Sequence, residues 1–276
     1  EFRRVLFRSM CEIAGAEAET CRLIQSMRQG QVGTNPFVVV VVTTWRRDGT
    51  IVGQVLNSGA DDLVARPFSA SALGDRIKAL TERRKGFAIT SDYIGPDRRR
   101  DPTRALSECV AVPNPLQLRA QETYSDEENE RRLAEAIQNG KAMLDREKMR
   151  RDAMQIGVQW RMLEQRGPGT RDFSDMLVRI ERMAEGIKRR APATEFSAAC
   201  EWCESLIDSV HAISIKAGRG EAGCADPSGD FMPLINLVGH ATQALLQIFS
   251  PGNDTAPCLV DIDSQANRVL ARIAAA

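Results

Sequence analysis

The spacing of apolar residues changes along the chain, from short strand-like runs to long helical periods. Val38–Val42 is a run of five valines, which is typical of a strand covered on both faces of a parallel sheet. A segment with helical spacing follows and stops at Gly59, and a second short strand is predicted over Leu63–Ala65. Ser69 is a predicted N-cap of a further helix. This order predicts an α/β unit with a doubly wound parallel sheet.

From Tyr124 to the end the pattern is helical throughout. A long charged helix is predicted from a capping box at Ser125 to about Arg166. Four shorter helices are predicted after it, from Phe173 to near Pro192 and over 196–216, 231–249 and 261–274. Helices with short connections form antiparallel bundles, which the long first helix could extend into a dimeric coiled coil. We therefore predict an all-α output or dimerisation domain over residues 124–276.

Polar side chains stand where the two predicted strands end. Thr43 and Thr44 follow the first strand, and Arg66 follows the second, directly before Pro67. The carboxyl ends of parallel strands form the ligand crevice of a doubly wound sheet. A hydroxyl and a cation at this edge are placed to bind a phosphoryl group. Pro67 is a candidate for a cis peptide or a turn.

Thr44, the turn Gly59-Ala60-Asp61-Asp62 and the tripeptide Arg66-Pro67-Phe68 together resemble the second half of a bacterial response-regulator receiver domain. The resemblance covers roughly residues 10–84 and implies a partial receiver domain with a flavodoxin-like sheet; another doubly wound α/β unit is the alternative. In that family a phosphoryl group sits on an aspartate after the third strand. A Thr or Ser ends the fourth strand, and a lysine, here Arg66, ends the fifth.

The same resemblance puts Glu12 at the phospho-acceptor position, by counting back from Arg28 with the family's usual spacing. The family has aspartate there, so Glu12 could mimic the phosphorylated state or make the site inert; an ordinary loop acid is the alternative. The resemblance also implies Mg²⁺ as the cofactor of an intact member, held by paired acids after its first strand. No such strand precedes Met10, so most oxygen ligands of the ion are missing and no metal residue is assigned.

Two other stretches of the chain are set apart from these domains. Residues 1–9 resemble a translated sequencing adapter and are excluded from the fold; a basic N-terminal peptide is the alternative. If the first interpretation holds, the chain is truncated at its N-terminus. Residues 85–123 are predicted as a linker, because their proline-containing turns block long helices. Arg98-Arg99-Arg100 and Arg104 in it could contact an anion, but nearby aspartates favour a solvated linker.

Two features of the helical region are candidates for chemistry. Cys200 and Cys203 are the only close cysteine pair, yet no further ligands follow at zinc-site spacing and the pair lies on a predicted helix. Small buried hydrophobes are the favoured interpretation. His211 lies mid-helix, as does the phosphoryl-bearing histidine of phosphotransfer domains. That family has lysine three residues later, where this chain has Ser214.

Composition narrows the possible functions of the chain. Its 276 residues carry a formal net charge of zero and include seven cysteines. Zero charge does not indicate nucleic acid as a partner, and no apolar run reaches the ~18 residues of a membrane helix. An odd number of scattered cysteines is typical of a reducing cytoplasm. No nucleophile elbow, phosphate loop or dinucleotide motif is present, so no enzyme is predicted.

These observations predict a cytoplasmic response-regulator-type protein of a phosphorelay, whose receiver domain controls the helical domain. The expected partners are a sensor histidine kinase or phosphotransfer protein, and a second copy through the helical domain. Thr44 would hydrogen-bond the oxyanion at the acceptor site, and Arg66 would pair with it. One alternative is a pseudo-receiver, an interaction module that works without phosphorylation. The other is a helical phosphotransfer protein that uses His211.

Overall fold

The computed structural model describes residues 8–13, 15–46, 48–98, 109–120, 126–166, 170–218, 231–250 and 255–274. The chain divides into two compact units, Glu1–Leu144 and Asp145–Ala276. A small parallel sheet with its helices lies at the start of the first unit, and the second unit is helical. This agrees with the predicted order of an α/β region followed by an all-α region.

The parallel sheet has three strands in the spatial order β1-β2-β3. They are β1 (Arg8–Glu12), β2 (Val39–Thr44) and β3 (Asp62–Ala65). Helices α1 (Glu17–Arg28) and α2 (Gly49–Asn57) connect them, and α3 (Ala70–Glu82) follows. β1 begins inside the segment 1–9, which was expected to lie outside the fold. Arg8 and Ser9 are strand residues and pair with Val39 and Val40 of β2.

Both faces of β2 are covered, as its valine run predicts. Val38, Val40 and Val42 share a buried cluster with residues of α1 and α2. Val39 and Val41 alternate to the other face because side chains along a strand point to opposite sides. There they line a cavity of about 410 Å³ together with apolar residues of α3. The predicted N-cap Ser69 accepts a hydrogen bond from the backbone N–H of Ala72 at 3.1 Å.

Residues 85–123, predicted as a linker, carry a second sheet in their described part. β4 (Phe87–Ile89) pairs antiparallel with β5 (Ile94–Pro96) and with β6 (Cys109–Val110). Every residue of β4 and β5 is buried. Strands of three residues, one containing glycine and proline, are too short to show a period in the sequence. A short helix, α4 (Pro115–Ala120), follows. Arg98 is exposed, whereas Arg99, Arg100 and Arg104 lie outside the described residues.

The long predicted helix is present as α5 (Asp126–Arg166), and the boundary between the two units falls inside it. In the first unit its Leu144 joins a buried cluster with Phe37 and Phe87. A Cβ at Gly140 would lie 2.7 Å from the ring of Pro113, so the helix approaches this loop closely. The capping-box residue Ser125 lies outside the described residues.

In its described residues, the second unit is built from the end of α5 and four further α-helices. These are α6 (Phe173–Arg190), α7 (Ala199–Gly218), α8 (Met232–Phe249) and α9 (Ala256–Ala274). They share one large apolar core, as the predicted bundle requires. The last helix begins at Ala256, before the predicted Asp261. In the part of the chain that is described, no helix is long and apolar enough to cross a membrane.

Candidate functional site

The three parallel strands end together at one edge of the first sheet. Glu12 is the last residue of β1 and is in register with Thr43 of β2. Thr44 ends β2 and is in register with Ala65, the residue before Arg66. The backbone N–H of Arg66 donates to the carbonyl of Thr44 at 2.8 Å. Parallel pairing thus brings a carboxylate, two hydroxyls and a guanidinium to the same edge.

Arg66 contacts both of the other strands. Its Nη2 lies 3.2 Å from Oε2 of Glu12, and its Nε donates to the Thr43 hydroxyl at 3.4 Å. The peptide bond between Arg66 and Pro67 is cis. One guanidinium therefore links the ends of β1, β2 and β3.

Trp45 completes this cluster and was not among the site residues expected from the sequence. Its indole N–H donates to Oε1 of Glu12 at 3.2 Å. The Arg66 guanidinium carbon lies 5.8 Å from the Trp45 ring and 5.4 Å from the Phe68 ring, within the range of a cation–π contact. The feature of the sequence that could have identified Trp45 is an aromatic residue directly after a predicted strand. Both carboxylate oxygens of Glu12 are thus engaged by neighbouring side chains.

The pair of Glu12 and Arg66 is open to solvent. Their side chains are 43% and 30% exposed. Water screens such a pair, and exposed ion pairs contribute only ~0–1 kcal/mol to stability. The pair can therefore separate without unfolding the sheet. Glu12 can then pair with another cation, and Arg66 can pair with another anion.

Thr44 has a different arrangement from the one expected of it. Its hydroxyl accepts a hydrogen bond from the backbone N–H of Arg46 at 3.0 Å, and the residue is buried. Successive strand residues point to opposite faces. Thr43 is accordingly the residue whose hydroxyl contacts Arg66, and Thr44 shapes the turn after β2.

The donor set at this edge does not fit Mg²⁺, which takes oxygen ligands. The side chains that contact Glu12 are the guanidinium of Arg66 and the indole of Trp45. The nearby Glu17 lies 3.7 Å from the guanidinium of Arg46. Across the described ranges, no three His, Cys, Asp or Glu residues group as metal ligands would.

The cysteine pair and the histidine lie in the second unit, on α7. Cys203 is fully buried, and burial raises the pKa of its thiol to about 12. A thiol of this kind is protonated at neutral pH and is a poor nucleophile or metal ligand. His211 is exposed, and its Nε2 lies 2.8 Å from Oε1 of Glu181 on α6. These residues belong to the second unit, whereas Glu12, Thr43 and Arg66 belong to the first.

No protein-family model, no curated protein and no solved structure matches this chain. A functional proposal therefore depends on the geometry of the chain's own residues.

Proposed function

We propose that this chain is a cytoplasmic response-regulator-type protein of a phosphorelay, in which the first unit is a receiver-type module that controls the helical region. The observation that carries the proposal is the contact of Arg66 with both Glu12 and Thr43 at the ends of three parallel strands. The partners are a sensor histidine kinase or a phosphotransfer protein, and a second copy of the chain through its helices.

The chemistry of this proposal is the transfer of a phosphoryl group to a carboxylate. One oxygen of Glu12 attacks the phosphorus, the P–N bond of a phosphohistidine donor breaks, and an acyl phosphate forms. The guanidinium of Arg66 then neutralises the new oxyanion, which carries more negative charge than the carboxylate. The Thr43 hydroxyl is a further donor at the same edge. A change in charge at residue 12 would shift the equilibrium between two states of the sheet edge.

Labelling of the full chain with radioactive acetyl phosphate tests the acceptor role. We expect label at residue 12, located by peptide mapping, and its loss in Glu12→Gln. Glu17→Gln is the matched control, because it removes the same charge from the same surface and leaves the Glu12–Arg66 contact intact. An absence of label at residue 12 in the unaltered chain would overturn the acceptor role.

A second candidate is a pseudo-receiver that acts as an interaction module without phosphorylation. The observation that favours it is that Arg66 and Trp45 already engage both oxygens of Glu12. The carboxylate of Glu12 then supplies, without phosphorylation, part of the negative charge that a phosphoryl group would bring to Arg66. Sedimentation of the full chain with and without acetyl phosphate separates the two candidates. An association state that ignores the donor supports the pseudo-receiver, and a donor-dependent change contradicts it.

A further inference from the structure

A buried ionic cluster lies at the opposite edge of the parallel sheet, where β3 begins. Asp61 accepts hydrogen bonds at its Oδ2 from Nη2 of Arg28, at 2.7 Å, and from the backbone N–H of Val40, at 2.8 Å. Its Oδ1 accepts from Nε of Arg84 at 2.8 Å. The three charged side chains are 1%, 1% and 3% exposed. Two guanidinium groups thus share one carboxylate away from water.

The remaining N–H groups of these arginines bond to backbone carbonyls of several segments. Arg28 donates to the carbonyl of Gly59 at 2.8 Å and to that of Val38 at 2.7 Å. Arg84 donates to the carbonyl of Phe37 at 2.7 Å and to that of Pro113 at 3.1 Å. Buried charges are tolerated when such partners satisfy them. The cluster therefore ties the turn before β3 to the start of β2 and to the loop before α4.

The second sheet is attached to this cluster through Phe87 of β4. The guanidinium carbons of Arg28 and Arg84 each lie 5.1 Å from the Phe87 ring centre. The hairpin β4–β5 also contacts the turn directly, because Arg98 donates a hydrogen bond to the carbonyl of Ala60. A Cβ built on Gly95 would lie 2.7 Å from the Cα of Gly59. Only glycine at these two positions allows the two backbones to approach so closely.

The same contacts continue from the hairpin to the first half of α5. Phe87 packs against Phe37 with ring centres 6.0 Å apart, and Leu144 of α5 belongs to the same buried cluster. A Cβ at Gly140 would lie 3.0 Å from the Phe37 ring. Apolar packing and ion pairs thus connect Asp61 without interruption to residues 137–144 of α5.

We propose that Asp61, Arg28, Arg84 and the hairpin β4–β5 form a clasp that couples the position of β3 to the first half of α5. β3 carries Asp61 immediately before it and Arg66 immediately after it, so a displacement of the strand acts on both edges of the sheet. A change at the Glu12–Arg66 pair is then transmitted along β3 to the clasp and from there to α5. The use of this link in signalling depends on the proposed function; the link itself does not.

Hydrogen–deuterium exchange of the full chain tests the link. Asp61→Asn removes the shared charge, and Asp62→Asn is the matched control at the next residue, whose carboxylate pairs with Arg76 and accepts a hydrogen bond from the backbone N–H of Leu63. We expect Asp61→Asn to raise the exchange rates of residues 87–96 and 126–144 at least ~10-fold, and Asp62→Asn to change them less than ~2-fold. Unchanged exchange in residues 126–144 of Asp61→Asn would overturn the proposal.

Phe87→Leu covers the case in which Asp61→Asn unfolds the first unit. It keeps all three charges and removes only the aromatic ring that both guanidinium groups contact. We expect faster exchange in residues 126–144 while the β2 amides, residues 39–44, keep their protection. Protection of residues 126–144 equal to that of the unaltered chain would overturn the proposal.

Transmission from the other edge is tested with Glu12→Gln in two backgrounds. We expect Glu12→Gln to change the amide exchange rates of residues 126–144 when Phe87 is present. In the Phe87→Leu background we expect Glu12→Gln to leave these rates unchanged. An equal effect in both backgrounds, or none in either, would overturn the coupling. These measurements need no phosphodonor, so a failure to label residue 12 would count against the proposed function alone.

Discussion

Glu12 and Asp61 both have arginine partners, and burial makes their contributions to stability very different. Glu12 and Arg66 stay partly in water, where screening leaves little net energy. Asp61 is removed from water together with Arg28 and Arg84. Loss of one partner from such a set leaves an uncompensated buried charge. The exposed pair is suited to change during function, whereas the buried one is suited to hold the structure.

This difference predicts the result of two substitutions at carboxylates. Asp61→Asn should lower the free energy of unfolding by ~3–5 kcal/mol, because it leaves two buried guanidinium groups without a counter-ion. Glu12→Gln should change it by less than ~1 kcal/mol. Urea denaturation followed by circular dichroism measures both. Equal effects of the two substitutions would contradict the assigned burial.

A second prediction at the scale of one residue concerns Cys203. Its pKa is raised by burial from 9.0 to about 12, so between these values the folded chain holds a proton that the unfolded chain has lost. The resulting stability is complete below pH ~9 and is lost as the pH rises towards ~12. From pH 8 to 10.5 the unaltered chain should lose ~2 kcal/mol more than Cys203→Ala. Urea denaturation at both values checks this, and equal losses would contradict it.

At the scale of elements, glycines mark where helices approach their neighbours closely. A Cβ at Gly140 would lie 2.7 Å from Pro113, whereas one at Gly53 in α2 would have no neighbour within 4 Å. The two positions are therefore a matched pair: both are helical, and only one is crowded.

We expect Gly140→Ala to destabilise the chain by ~1–3 kcal/mol, because overpacking outweighs the better helix propensity of alanine. Gly53→Ala should stabilise it by ~0.5–1 kcal/mol, since only the propensity acts there. Thermal or urea denaturation measures the sign of each change. A stabilising Gly140→Ala would show that α5 does not pack closely on this loop.

The sequence predicts the elements whose signal is local and misses those that depend on contacts between distant residues. The amphipathic helices and the valine strand carry their signal locally, in spacing and burial. β4 and β5 are buried by residues distant in sequence, such as Arg28, Phe37 and Leu144, and a local pattern cannot show this. Glu12 and Arg66 lie in contact as the expected site required, although their phosphoryl role stays a prediction. The contact of Trp45 depends on a side-chain rotamer, and arginine burial like that of Arg28 is rare.

At the scale of the whole molecule, the chain consists of two units, each with a core of its own. The core of the second unit contains a close approach of its own, because a Cβ at Gly239 of α8 would lie 2.6 Å from the ring of Trp160 on α5. A substitution that disrupts this packing should destabilise the second unit and leave the first unit folded.

Gly239→Ala should therefore raise the exchange of amides in residues 173–218 and 231–249 and leave β2 protected. Gly74→Ala on α3 is its control, because a Cβ there meets nothing within 4 Å. Hydrogen–deuterium exchange with mass spectrometry checks both variants. An equal rise of exchange in both units would show that they unfold as one.

The close approach of Gly59 and Gly95 also constrains how this protein can evolve. Gly59 has a φ of +91°, which side chains rarely adopt, and its Cβ would lie 2.5 Å from the carbonyl oxygen of Ile94. A side chain at either glycine is acceptable only after the backbone at the other has moved. A Cβ at one site does not relieve the clash at the other, so both positions should remain glycine for as long as the hairpin packs on the turn.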